Sequence, residues 1–331
     1  MTAAAAQPAD GSGSSEAPGA PSAPGTAGGG PVLLELGGRI HDLTHRALVM
    51  GILNRTPDSF YDQGATFGLD ALYARAERIV AEGADILDVG GVKAGPGPEV
   101  TEAEELDRVV PVIAALADRF DVALSVDTWR ASVARESYAA GAVMGNDISG
   151  FADPAYLPEA ARAGAAVVAT HIRLAPRVRD PEPHYDDMVA TVRDFLLDRA
   201  ARARAAGIAP GRIVLDAGLD LGKTAEQSLT LLRASGTLAA LGYPLLLSAS
   251  NKTFLGAVLG LQIDQRREAS LSAAALGVSL GCRVLRVHDV QGTRRVRDVL
   301  AAVTQAGPAP AAVTQAGPAP ATGPAARRAA P

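Results

Sequence analysis

The sequence predicts an α/β chain that closes into a single-domain (β/α)8 barrel of the TIM type. Eight short apolar runs alternate with amphipathic segments along the chain. Seven of the runs are apolar on both faces, as parallel strands buried between helices and a barrel interior must be. Eight strand-helix units in about 270 residues also match the usual size of such a barrel.

The runs are ALVMGIL (47–53), DILDVGG (85–91), VALSVD (122–127), AVMGNDI (142–148), AAVVATH (165–171), RIVLDAG (212–218), PLLLSAS (244–250) and RVLRVHD (283–289). Helical patterns such as ALYARAERIVAEGA and EAEELDRVVPVIAALADRF lie between them. Gly83, Gly141, Gly164, Gly207 and Gly281 follow the last turns, where a left-handed residue ends a helix. An open doubly wound sheet would carry a G-x-G-x-x-G turn after an early strand. GGVKAGPG at 90–97 is Gly-rich but wrongly spaced.

The ends of the chain read as tails. Residues 1–30 are almost only Ala, Gly, Pro, Ser and Thr, too apolar-poor to offset the entropy of ordering. They have neither the basic and apolar regions of a secretory signal nor the Arg of a transit peptide. AAVTQAGPAP occupies 301–310 and recurs at 311–320, a Pro-rich duplication that fits no solenoid unit. The expected division is a tail over 1–37, a barrel over 38–304 and a tail over 305–331. A net charge of −5, spread along the chain, predicts no nucleic-acid partner. The single Cys282 excludes a disulfide framework and fits a cytoplasmic location. No apolar run is long enough to predict a membrane span.

Active sites of such barrels sit at the C-terminal ends of the strands. Reading those ends gives Asn54, Asp88, Asp127, Asn146 with Asp147, His171, Asp216, Lys252, and Arg286 with His288. Each has a plainer reading. Asp127 and Asp216 are placed to cap turns, His171 to be a satisfied core histidine, and Lys252 to be a solvated charge. As a set they point to chemistry. A carboxylate facing an amino group and ring N–H makes a charge-assisted bidentate contact with a flat heterocycle. Lys252 can donate to such a ring, and Arg286 and His288 share a strand face beside it. Asn54 offers a neutral oxygen suited to Mg2+ next to a phosphate. Type and spacing therefore predict a heterocycle pocket beside a phosphate or diphosphate.

Residues 50–64, MGILNRTPDSFYDQG, resemble the signature loop of dihydropteroate synthases. DILDVGG, LSVDTWRA (124–131), GNDISG (145–150), IVLDAGLDLGK (213–223), SNKTFLG (250–256) and RVHDV (286–290) follow in the family's order. The resemblance implies a (β/α)8 barrel, a homodimer, and condensation of 6-hydroxymethyl-7,8-dihydropterin diphosphate with 4-aminobenzoate. It places the pterin against Asp127, Asn146, Asp216 and Lys252, with Lys252, Asp127 and Asp216 as the catalytic candidates. It places diphosphate on Arg286, His288 and Asn54, with Asn54 on Mg2+.

The loops depart from the family pattern. Arg55 replaces a small apolar residue, Tyr61 a Ser and Gln63 a Gly. Where the family reads G-G-E-S-T-R-P-G, this chain reads Gly90-Gly91-Val92-Lys93-Ala94-Gly95-Pro96-Gly97. Leu221 replaces the aromatic residue beside the arylamine, and Asn251 an Arg. Losing an Arg that stabilises a leaving group costs roughly 10²–10³-fold in rate. A retained pterin floor under rewritten loops predicts a pterin-binding protein with weak or absent turnover. The alternative is a non-catalytic paralogue acting as sensor or partner subunit.

Overall fold

The computed structural model describes residues 30–55 and 65–305. Tyr61, Gln63 and the T-P-D-S-F segment lie outside the described residues, as does most of both expected tails. The eight apolar runs form strands β3 (Leu48–Asn54), β4 (Ile86–Gly90), β5 (Ala123–Asp127), β6 (Met144–Asp147), β7 (Ala166–Thr170), β8 (Ile213–Asp216), β9 (Leu245–Leu247) and β10 (Cys282–Val287). They pair in parallel and close through β10 and β3 into one barrel.

The helices that cover the barrel are α1 (Ala65–Ala81), α2 (Glu102–Arg119), α3 (Ala131–Ala139), α4 (Tyr156–Ala163), α5 (Met188–Ala205), α6 (Ala225–Arg233), α7 (Ser235–Ala239), α8 (Thr253–Leu259), α9 (Arg267–Ser279) and α10 (Val290–Gln305). Helix α2 starts on Thr101, whose hydroxyl accepts from the Glu104 amide at 3.2 Å, and carries Glu102, Glu104 and Glu105 in its first turn. Outward-facing strand residues such as Val49, Leu87, Val126 and Val167 pack against the helices. Inward-facing Leu48, Met50, Ile86, Met144, Val168, Val214, Leu246 and Val284 fill the interior.

The barrel needs a floor, and the sequence places one earlier than residue 38. Strand β1 (Leu33–Leu36) pairs antiparallel with β2 (Arg39–Asp42). Leu34, Leu36 and Leu43 are buried and join the interior cluster. The tail expected over 1–37 therefore gives way to a structured hairpin by residue 33. A four-residue strand of LLEL has too short a period-two pattern to stand out beside a low-complexity segment.

Candidate active site

Strand alternation decides which polar residues meet. Side chains two apart on a strand share a face. Counting upward from the apolar interior residues, the inward positions reach Asn54 on β3, Asp88 on β4, and Ser125 and Asp127 on β5. They continue to Asn146 on β6, Thr170 on β7, Asp216 on β8 and Arg286 on β10. One barrel interior thus runs from Met50, Ile86 and Val284 at the floor to a polar mouth. Asp147 and His171 are one residue out of phase and face the helices. Asp147 Oδ1 accepts from the Ser149 amide at 2.6 Å and Oδ2 from the Phe151 amide at 2.9 Å, so it holds a turn. His171 packs edge-on against Phe195 of α5 at 4.8 Å, and burial lowers its pKa to about 3, with Lys223 adding. Asp147 is thus a structural turn holder, whereas His171 is a core histidine whose buried Nδ1 has no hydrogen-bond partner among the described residues.

The mouth is a connected network. Arg286 Nε donates to Asp88 Oδ2 and its Nη2 to Asp127 Oδ2, each at 2.6 Å. Asn146 Nδ2 donates to the same Asp88 oxygen at 3.1 Å. Asn54 Oδ1 and Asp127 Oδ2 lie over the same side of Gly90, 3.6 and 3.4 Å from where a Cβ there would stand. Lys252 leads into α8 and its Nζ donates to the Leu219 carbonyl at 2.8 Å. Asp216 Oδ1 accepts from the Gly218 amide at 2.8 Å. Inside this mouth Asp88 Oδ1, Ser125 Oγ and Thr170 Oγ1 are buried with no hydrogen-bond partner among the described residues. Buried polar atoms left unpaired are costly, and a polar ligand would relieve them.

Charge in the mouth is held under strain by burial. Desolvation raises the Asp127 carboxyl to about 7 against the opposing pull of Arg286, and Asp88 adds to the rise. Desolvation also raises Asp216, while it lowers Lys252. Burial alone would lower Arg286, but Asp88 and Asp127 more than reverse it, so the guanidinium stays charged. His288 is pushed down to about 4, mainly by burial and then by Arg286, Arg75 and Lys252, and is neutral at pH 7. The anion site expected from Arg286 and His288 together is thus weaker than their types imply. Arg286 already serves two carboxylates, and His288 brings no charge.

Comparisons with known proteins agree with this geometry. Residues 50–288 match the family of pterin binding enzymes. Over 269 residues, 80% of this chain and 92% of the relative, it is 45% identical to "Inactive dihydropteroate synthase 2" of Mycobacterium leprae. It is 39% identical to the dihydropteroate synthase of Synechocystis over 82% of this chain and 96% of that one. The chain belongs to the dihydropteroate synthase family. The Yersinia pestis dihydropteroate synthase solved with a sulfonamide drug superposes with a TM-score of 0.78 at 40% identity, covering 83% of this chain and all of that one. The Xanthomonas albilineans enzyme in complex with 7,8-dihydropteroate superposes with a TM-score of 0.75 at 39% identity, over 83% of this chain and all of that one.

Against the dihydropteroate synthase pattern, the substituted loops acquire structural duties. Arg55 donates to the Asp107 carbonyl at 2.9 Å and the Arg108 carbonyl at 2.8 Å. Pro111 inside α2 has no N–H to give the Asp107 carbonyl, so Arg55 supplies the missing donor. The loop after β4 is held from the loop after β7. The Arg177 amide donates to the Ala94 carbonyl at 3.0 Å, and its guanidinium to the Pro98 carbonyl. At Gly95, where the family has Arg, a Cβ would meet nothing within 4 Å.

Two further residues belong to this end of the barrel and were not singled out by sequence. Lys223 Nζ donates to the carbonyls of Gly218 at 2.7 Å and of His171 and Leu221 at 3.2 Å. Burial brings its pKa down to about 7 despite Asp216. Glu105 of α2 is fully buried, accepts from Thr128 Oγ1 at 2.6 Å and pairs with Arg130. It locks α2 to the end of β5, next to Asp127. A charged residue in a helix's first turn reads as a dipole partner, which hides such a role.

Proposed function

We propose that this protein binds a 7,8-dihydropterin bearing a 6-hydroxymethyl diphosphate in the barrel mouth, and transfers it to 4-aminobenzoate weakly or not at all. The observation that carries the reading is the inward-facing set Asp127, Asn146 and Asp216, with Lys252 at the head of α8, beneath a loop without the family's Arg. Asp127 pairs with Arg286 through Oδ2 and keeps Oδ1 for a ligand donor. Asn146, anchored on Asp88, presents its amide oxygen to the ring. Asp216 and Lys252 lie on the opposite side of the mouth and supply an acceptor and a donor. The unpaired oxygens of Asp88 and Thr170 fit a ligand rich in N–H groups.

In this reading Asn54, Arg286 and His288 face the diphosphate. Among the described residues no three His, Cys, Asp or Glu side chains gather into a metal site. Mg2+ fits here only as an ion carried chiefly by phosphate oxygens and water, with the Asn54 amide oxygen as its protein ligand. When bound, the ion neutralises charge on the departing diphosphate. Arg286, kept cationic by its two carboxylates, sits beside the same charge. Departure of diphosphate leaves a cationic methylene on the pterin, which the carboxylates of Asp127 and Asp216 stabilise before an arylamine attacks. What is missing is the fork of positive charge from the loop after β4 and an aromatic wall at Leu221. The relatives' name, inactive dihydropteroate synthase 2, favours the second form of the reading, a pterin-binding paralogue without turnover.

The same reading takes the protein as cytoplasmic and homodimeric. Leu276 of α9 with Val299 and Val303 of α10 are exposed on helices that pack side by side. Among the described residues no helix is long and apolar enough to cross a membrane.

The test measures diphosphate release by the purified full chain with the pterin diphosphate, 4-aminobenzoate and Mg2+, beside calorimetry with the pterin alone. The expected result is pterin binding with turnover near the Asp127→Asn background. Gly95→Arg, which the local space admits, should raise turnover by roughly 10²-fold, the worth of one positioned cation at a leaving group. Absence of pterin binding would overturn the proposal.

A further inference from the structure

A second polar cavity opens beside His288, on the outer side of the barrel mouth. It measures about 390 Å3 and lies between α1, α9 and the start of α10. Its charged lining is Arg75, Arg267, Asp264 and Asp289. Asp289 is committed: Oδ1 accepts from the Gly292 amide at 2.8 Å and Oδ2 pairs with Arg267 at 2.8 Å. Asp264 is exposed to solvent. Arg75 is different, half-buried and without a hydrogen bond or ion pair to any described residue. A half-buried, uncommitted guanidinium is a ready anion partner, with up to five donors in a fixed fork.

The neighbouring Ser250 and His288 add hydrogen-bonding groups beside Arg75. Ser250 Oγ accepts from the His288 amide at 3.2 Å and lies 3.1 Å from His288 Nδ1. The Ser250 hydroxyl can therefore accept the amide and still donate its own proton to Nδ1. In the tautomer where Nδ1 accepts that proton, Nε2 carries the imidazole N–H and neutral His288 remains a hydrogen-bond donor. Arg286 cannot supply the uncommitted charge here, because it already bridges Asp88 and Asp127.

We propose that this cavity is an anion subsite for phosphoryl oxygens, with Arg75 as its charged anchor and His288 joining it to the barrel mouth. The proposal rests on the pterin diphosphate reading, and adds a residue that lies outside every motif of the family resemblance. The terminal phosphoryl group of the diphosphate is its natural occupant, and free diphosphate the alternative source of the same chemistry.

The experiment is calorimetry on the full chain, wild type and the Arg75→Gln and Arg75→Lys variants. The three probes are inorganic diphosphate, 6-hydroxymethyl-7,8-dihydropterin and its diphosphate ester. Wild type should bind the ester more tightly than the alcohol. Arg75→Gln should weaken ester and inorganic diphosphate by roughly tenfold or more, the loss of one charge-assisted hydrogen bond, and leave the alcohol unchanged. Arg75→Lys should recover part of the loss. Thermal denaturation of each variant checks that the fold is intact. Ester and diphosphate affinities equal in wild type and Arg75→Gln would overturn the subsite, as would a wild type that binds neither. Loss of inorganic diphosphate binding in Arg75→Gln, in a protein that binds no pterin, would support the subsite and sink the pterin reading instead.

Discussion

Replacing Arg286 by Met tests whether the mouth is held together by one shared cation. The guanidinium lies 2.6 Å from both Asp88 and Asp127, and its side chain is 15% exposed against 0% for Asp88. Met keeps the length and removes the charge, leaving two carboxylates facing each other in a buried mouth. Removing one partner of a buried pair typically costs about 3–5 kcal/mol. At about 2 °C per kcal/mol for a domain of this size, the melting temperature should fall by roughly 6–10 °C at pH 8. The pH dependence carries the sharper test. Asp127 already titrates near 7 in the fold, because burial outweighs Arg286, and losing Arg286 raises it further. An acid whose folded pKa is raised lends its stability fully below its unfolded pKa, near 3.9, and loses it as pH rises through the folded value. The deficit of Arg286→Met should therefore be largest at pH 8 and shrink towards pH 5. Adding Asp88→Asn should restore part of the stability at pH 8. Melting curves by far-ultraviolet circular dichroism at the two pH values decide. An equal drop at both, or no drop, would refute the shared-cation account.

Three other outcomes follow from the same geometry. Pterin affinity should rise about tenfold between pH 6 and pH 8 as Asp127 ionises around 7, and Asp127→Asn should flatten that rise in calorimetry. Gly218→Ala should cost more than about 3 kcal/mol in urea denaturation: Gly218 has φ +66°, and a Cβ there would collide with the rigid His171 backbone carbonyl. Arg55→Val, although it restores the family's residue type, should destabilise by about 1–2 kcal/mol, because it strips donors from the Asp107 and Arg108 carbonyls beside Pro111. A more stable Arg55→Val protein would remove the structural role assigned to Arg55.

The barrel was legible because its strands are short, apolar and evenly spaced, and because strand ends collect polar residues in one layer. A place at a strand end does not by itself give the phase. Asp147 and His171 stand at strand ends like Asn146 and Thr170, yet one residue of offset sends them to the helices. There Asp147 binds the amides of Ser149 and Phe151, and His171 packs on Phe195. Thr170, with its buried and unpaired hydroxyl, was the inward residue at that position. Long-range partners were beyond the sequence altogether. Nothing in the spacing of Asp88, Asp127 and Arg286 says that one guanidinium bridges two carboxylates 159 and 198 residues away.

The rewritten loops gain meaning from that bridge. In the mouth, Arg286 is neutralised before any ligand arrives, and His288 is neutral by burial. With Arg286 shared between two carboxylates, the proposed diphosphate needs charge beyond what the strands supply, and the family pattern has an Arg in the loop after β4. Here that loop offers Gly95, and its backbone is fastened to Arg177 by the Ala94 and Pro98 carbonyls. The heterocycle's contacts come from strand residues whose positions the barrel fixes, so they survive changes in the loops. Leaving-group stabilisation comes from the loops, and it can be lost without disturbing a single strand. On this division recognition rests on the strands and rate on the loops, and Arg75, without a hydrogen bond or ion pair to any described residue, is a cation suited to the phosphate end of the proposed ester.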